Sequence, residues 1–130
     1  MGLVVTDYQV GVVATLSDFP DKVVLVTNRD GNRWIFPKGR IEKGRTDRAI
    51  AIEEAYEEAG VIGELLQKYK DIKTPGGKAG SLRLYRMQIT SVLKNWPEMS
   101  LRKRVIVSFE KAERLLESKL SECLRWDVGW

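Results

Sequence analysis

An α+β or α/β sandwich is the fold class this sequence predicts, and three observations predict it. Short runs rich in β-branched residues recur on both sides of one central helical segment. That helix has a capping residue at its start, Thr46 or Asp47, and a glycine at its end, Gly60. A second helical stretch closes the chain, with Ala112, Leu115, Leu116 and Leu120 on one side.

Tyr8 to Leu16 reads as a strand. Its apolar part, Val10 to Leu16, is too short to cross a bilayer and is flanked by Asp7 and Asp18. Lys22 to Thr27 is a continuous apolar run, as a buried strand requires. Asn28-Arg29-Asp30-Gly31-Asn32 is a turn, and Trp34-Ile35-Phe36 a brief extended piece ended by Pro37. Lys38 to Arg45 is polar, with a glycine near each end, and is expected to be a loop. The helix then runs to about Ala59, with Ile52, Ala55, Tyr56 and Ala59 at helical spacing as its apolar positions. Val61 to Lys73 and Ser81 to Val92 read as two strands joined by Thr74 to Gly80. That connection lacks P-loop spacing, and a hairpin tip is the plainer reading, with Lys78 a candidate to reach a substrate. Arg104 to Phe109 is a further strand, and Glu110 to Leu124 the final helix.

The 130 residues are expected to form one domain, 1–130. No span long enough for a membrane helix is present, and one cysteine, Cys123, excludes an intramolecular disulfide. A cytoplasmic protein, monomer or homodimer, is the expectation. Histidine is absent, which removes Ser-His-Asp and Cys-His hydrolases and a histidine phosphoryl carrier. Chemistry here must use carboxylates, lysine, tyrosine or a metal. The net charge of +4, with many acids concentrated in one helix, leaves the remaining surface basic and suits an anionic partner. No RNA-recognition or helix-turn-helix signature accompanies it, so a nucleic-acid ligand is not expected.

The central helix carries Glu53, Glu54, Glu57 and Glu58 within six residues. Like charges at i,i+4 repel, and carboxylates near a helix C-terminus face the negative end of its dipole. A solvated acidic face is one reading. A divalent cation is the other, because Glu54, Glu57 and Glu58 at i, i+3 and i+4 can converge their oxygens as Mg²⁺ requires.

Gly39, Glu54, Ala55, Glu57, Glu58, Gly60 and Val61 fall at the spacing G-x5-E-x7-R-E-U-x-E-E-x-G-U, behind Trp34-Ile35-Phe36-Pro37-Lys38. The chain thus resembles the Nudix hydrolase family. The resemblance implies a Nudix fold, a mixed central sheet with the loop-helix and a C-terminal helix packed on it. It also implies Mg²⁺- or Mn²⁺-dependent hydrolysis of a diphosphate bond in a nucleoside-diphosphate-X or other polyphosphorylated small molecule. Carried onto matching positions, Glu54, Glu57 and Glu58 would hold the metal with the Gly39 carbonyl. Glu58, then Glu54, are the leading candidates for the base, with Glu42 a further carboxylate in the loop.

Two positions depart together: the family's first glutamate is Arg45 here, and its arginine is Glu53. A pair between them would keep an opposite-charge contact with its polarity reversed. The exchange is also the best support for a domain that binds a phosphorylated ligand without hydrolysing it. Asn95-Trp96-Pro97-Glu98 and Arg102-Lys103-Arg104 resemble the diphosphoinositol polyphosphate and diadenosine polyphosphate hydrolase branch. Lys38, Arg40, Arg102, Lys103 and Arg104, joined by Arg29, Arg33, Arg83 and Arg86, would then be cations for a polyphosphate. A MutT-like nucleoside triphosphate pyrophosphohydrolase is a rival of the same class. Trp34 and Trp96 are candidates to stack on a base, with core packing the plainer reading for Trp34. Trp126 and Trp130 would pack on the domain or mark an oligomer contact.

Overall fold

Valine-rich β1 (Tyr8–Leu16) runs through the middle of a seven-stranded mixed sheet in a computed structural model that describes residues 8–74 and 80–125. Lys78, Trp126 and Trp130 lie outside the described residues. One edge of β1 pairs in parallel with β6 (Ser81–Val92), from Tyr8↔Ser81 to Leu16↔Ile89. β6 pairs antiparallel with β5 (Val61–Lys73) in a ladder that bulges at Ile62/Gly63 and again between Leu65 and Tyr69.

The other edge of β1 is shared. β2 (Lys22–Thr27) meets it at Thr15↔Val23 and then departs. Backbone groups at residues 9–11 need partners once β2 has gone. β4 (Lys38–Arg40) supplies them through Gln9↔Arg40, Val10↔Gly39 and Gly11↔Lys38. The segment expected to be a loop from Lys38 therefore begins as a strand. β3 (Trp34–Ile35) and β7 (Arg104–Ser108) both pair with β2.

Strand alternation splits the apolar residues into two layers. Val10, Val12, Ala14, Val24 and Val26 pack on one side with the helix α1 (Asp47–Ala59), and Val13, Val23 and Leu25 on the other with the C-terminal helices. Burying each such valine stabilises the fold by about 1.5–3 kcal/mol. The result is an α+β sandwich with helices on both faces of a mixed sheet. Among the described residues no helix is long and apolar enough to cross a membrane.

Thr46 caps α1, its side chain accepting from the Ala49 N–H, and Gly60 ends it in the left-handed conformation at φ 64°. The buried face differs from the one the spacing suggests. Ile52 and Tyr56 are each 42% exposed, while Ile50, Ala51, Ala55, Glu58 and Ala59 are buried. Alanines let the helix lie close to the sheet, and the roll that buries them turns the two larger side chains outward. The opening turn is tied to the sheet by Asp47, which accepts from the Tyr8 hydroxyl and from Arg83. Arg83 also pairs with Asp71 and lies 4.0 Å from the Tyr69 ring centroid.

The final helix is broken. α2 (Phe109–Leu115) and α3 (Ser118–Ser121) are separated by extended backbone at Leu116. That re-aims the chain so that Ala112, Leu116, Leu120, Cys123 and Leu124 all reach one core.

Candidate active site

At about 100° per residue, the four glutamates of α1 fall around the helix in the order Glu58, Glu54, Glu57, Glu53. The roll that buries the alanines therefore turns the first of them inward. Glu58 is 5% exposed, whereas Glu53, Glu54 and Glu57 are all half-buried. Oxygens of Glu53, Glu54 and Glu57 lie within 4.8 Å of one another. Glu58 is not in that trio, because its carboxylate is engaged elsewhere. Its Oε1 accepts the Lys38 N–H at 3.0 Å, and its Oε2 lies 3.1 Å from Arg102 Nη2.

Gly39 brings β4 against this row. A Cβ built on it would lie 2.4 Å from the Glu54 Cδ, so only glycine lets the strand and the carboxylate approach this closely. Gly11 has the same importance one strand away, where a Cβ would meet the Pro37 carbonyl at 2.4 Å. Sequence reasoning passed over Gly11. A glycine inside a valine-rich strand was the available signal.

Burial pushes the Glu54 carboxyl up to about 8, helped by Glu58, Glu57, Glu98 and Glu53. Burial also raises Glu57 and Glu58, although for Glu58 the Lys38 N–H and Arg102 pull the other way. Lys38 is pushed down, chiefly by burial, and its Nζ donates to Gln9 Oε1 at 2.9 Å. Carboxylate oxygens crowded this tightly, with Glu54 reluctant to ionise, fit a hard divalent cation such as Mg²⁺ or Mn²⁺. Glu54 and Glu57, with Glu53 alongside, are the side chains whose oxygens already converge.

The exchanged positions meet. Arg45 donates to both oxygens of Glu53, at 3.0 and 2.8 Å, and also to Glu42 at 3.2 Å. The bidentate contact joins the loop after β4 to the exposed flank of α1.

The cations expected to gather for a polyphosphate are dispersed. Arg102, its side chain 7% exposed, pairs with Glu58 and Glu98 and donates to the Thr27 carbonyl. Arg104 donates to the Ala59 and Leu93 carbonyls, both at 2.9 Å, and stacks 3.9 Å from the Trp96 ring centroid. It thereby caps α1 with positive charge where the helix has no basic residue of its own. Trp96 is tied to the same helix end through its indole N–H, which donates to the Glu58 carbonyl. Arg83 is held by Asp47 and Asp71, and Arg86 is buried, donating to the Leu124 carbonyl. Lys103 and Arg40 are exposed, and Lys38 stands between the glutamates and a cavity.

That cavity, of about 530 Å³, lies between β3 and the C-terminal helices. Trp34, Phe36, Leu82 and Leu116 give it apolar walls, and Asn28, Asn32, Arg33 and Gln9 give it polar ones. Lys38 and Gln9 are the residues through which it adjoins the acidic row.

A glutamate-bearing helix laid against a glycine of the preceding strand, under a mixed sheet, is the arrangement of the NUDIX domain. The model of that family matches residues 7–124, and the chain belongs to it. Over 107 residues it is 33% identical to human diphosphoinositol polyphosphate phosphohydrolase 3-alpha, covering 78% of this chain and 63% of that protein. Nudix hydrolase 4 of Arabidopsis thaliana is 28% identical over 100 residues, covering 75% of this chain and 48% of the relative. The chain thus spans roughly half to less than two thirds of the length of the curated relatives it matches. Among solved structures, a NUDIX hydrolase from Nitrosomonas europaea superposes with a TM-score of 0.67 at 16% identity, over 91% of this chain and 84% of that one. A MutT structure, from work on Aliivibrio salmonicida and Vibrio cholerae, gives 0.66 at 15% identity, over 88% of each chain. These two likenesses establish the fold.

Proposed function

We propose that this chain hydrolyses a diphosphate bond in a nucleoside-diphosphate-X or other polyphosphorylated small molecule, using Mg²⁺ or Mn²⁺. The observation that carries the reading is the convergence of Glu53, Glu54 and Glu57 oxygens within 4.8 Å of one another beside Gly39, where burial and the surrounding acids push Glu54 up to about 8. A folded chain keeps such an arrangement at a cost, and a bound cation removes the cost. Glu54 and Glu57, with Glu58 behind them and the Gly39 backbone in contact, would hold the ion. When bound, it neutralises phosphate oxygens and lowers the pKa of water.

The remaining work falls to the chain's own groups. Water adds its oxygen to one phosphorus, the bridging oxygen leaves with the other, and the water's proton passes to a carboxylate. Glu58 is the leading candidate for that base and Glu54 the next. Lys38, between the carboxylates and the cavity, is placed to steady phosphate charge, with Arg40 exposed two residues further along β4. The cavity would receive the organic part of the substrate. Its Trp34 wall, partly exposed, suits an aromatic base. That favours a dinucleoside polyphosphate, with a diphosphoinositol polyphosphate as the alternative that the relatives' names suggest.

A panel of dinucleoside polyphosphates, diphosphoinositol polyphosphates and nucleoside triphosphates, with Mg²⁺ and with Mn²⁺, tests the reading. Phosphate or nucleotide release that depends on the cation and fails in Glu58→Gln is expected. A panel in which ligands bind and none is cleaved would make this a binding domain, the reading that the Arg45/Glu53 exchange supports. Activity unchanged in Glu58→Gln would remove that residue from the site.

A further inference from the structure

We propose that Arg102 is a positioning residue for Glu58, and that Glu98, from the connection between β6 and β7, completes the device. The inference rests on the site just described and reassigns a cation that its sequence neighbours would place on substrate phosphate. All three nitrogens of this guanidinium are used inward. Nε meets Glu98 Oε1 at 2.8 Å, Nη2 meets Glu58 Oε2 at 3.1 Å, and Nη1 donates to the Thr27 carbonyl at 3.0 Å. With its side chain 7% exposed, no edge of the fork is left to grip a phosphate.

The remaining geometry says what the contact does. Glu58 has one oxygen on the Lys38 N–H and the other on Arg102, so its carboxylate plane is fixed from two sides. Arg102 is fixed in turn. A helical turn brings its own N–H to the Glu98 carbonyl, and the Glu98 N–H donates to the Glu57 carbonyl. Thr27 contributes both its carbonyl to Arg102 and its hydroxyl to the Lys103 N–H. Three elements, α1, the end of β2 and the Glu98–Arg102 turn, thus converge on the orientation of one carboxylate. Lysine cannot make this contact, because a point charge has no fork with which to hold both acids and a carbonyl. Glu98 enters as a fifth acid near the cluster, adding to the charge felt by Glu54, Glu57 and Glu58.

Positioning and phosphate binding separate in kinetics. Arg102→Ala is expected to lower kcat by about 10²-fold, since small displacements of a reacting group cost that much. KM should move less than about 2-fold, and the factor should be the same for substrates with short and long phosphate chains. Arg102→Lys, which keeps the charge without the fork, should recover only a minor part of the kcat. A KM rise that grows with the number of phosphates would overturn the proposal, as would unchanged kinetics.

A second measurement does not depend on turnover. Mn²⁺ titration followed by the electron paramagnetic resonance of the free ion should show affinity lowered about 10-fold or more in Arg102→Ala. Unchanged or tighter binding would overturn the positioning role. If that variant does not fold, Glu98→Gln, which keeps the cation and loosens its anchor, should lower kcat and Mn²⁺ affinity in the same direction. No effect on either quantity would refute the assignment. Should the native chain cleave nothing in the substrate panel, the hydrolase reading fails, while the Mn²⁺ titrations still decide the role of Arg102.

Discussion

Gly39 and Glu54 lie so close that the Cβ of any larger residue at position 39 would come within 2.4 Å of the Glu54 Cδ. The obstacle is the far part of a flexible side chain, so the fold can yield where the site cannot. Gly39→Ala is expected to melt within a few degrees of the parent and to lose at least about 10-fold in turnover and Mn²⁺ binding. A variant with parental activity would show that Glu54 need not occupy this position.

The Arg45–Glu53 contact is bidentate and partly exposed, the class of ion pair worth about 0–1 kcal/mol. Its effect should therefore show more in the site than in global stability. Arg45→Glu and Glu53→Arg are each expected to reduce turnover, since each places like charges together beside the acidic row. The double exchange should recover most of the loss, measured as a coupling in a double-mutant cycle. Additive losses would mean that the contact does not order the loop.

Stability of the metal-free protein should fall as pH rises from about 5 to 8. An unfolded Glu54 loses its proton near its ordinary 4.5, whereas the folded one keeps it to about 8. Across that window the folded state binds more protons than the unfolded, so raising the pH favours unfolding; Glu57 and Glu58 shift in the same direction. Melting temperatures in EDTA from pH 5 to 8.5 should decline, and Mg²⁺ should flatten the slope by taking the proton's place. A rising or flat profile in EDTA would contradict the electrostatics described for the row.

Arg104 is expected to matter for stability and not for substrate. Arg104→Met leaves the Ala59 and Leu93 carbonyls without their charged donor, at a cost of about 1.5–3 kcal/mol in denaturant unfolding. Unaltered stability with a raised KM would instead place the guanidinium on phosphate.

Much of this arrangement was legible in the residues. β-branched runs marked β1, β2 and β7, the turn-rich Thr74 to Gly80 connection marked β5 and β6 on either side of it, and Thr46 or Asp47 and Gly60 marked the ends of α1, because caps, turns and strand propensity act locally. What escaped depended on contacts between distant segments. β4 exists because β2 leaves the edge of β1, which no property of Lys38 to Arg40 announces. Large apolar residues suggested a core face through Ile52 and Tyr56, yet the alanines chose the face by allowing closer approach. That roll, invisible in spacing, is also what sends Glu58 inward toward Lys38 and Arg102 and leaves Glu53 for Arg45. Arg102 and Arg104 were recognisable as cations, but their partners are acids and carbonyls of α1 and its neighbours.

Parallel pairing between β1 and β6 also governs when the site can exist. Each partnership in that ladder, from Tyr8↔Ser81 to Leu16↔Ile89, spans 73 residues. Closing so long a loop precedes any reward from the contacts it brings, so this step weighs on the folding rate. The same β1 residues support β4, and β4 supports Glu54 through Gly39. On a ribosome, the acidic helix would emerge well before the strand that steadies its platform. The carboxylates are thus made early and brought to their working distances late.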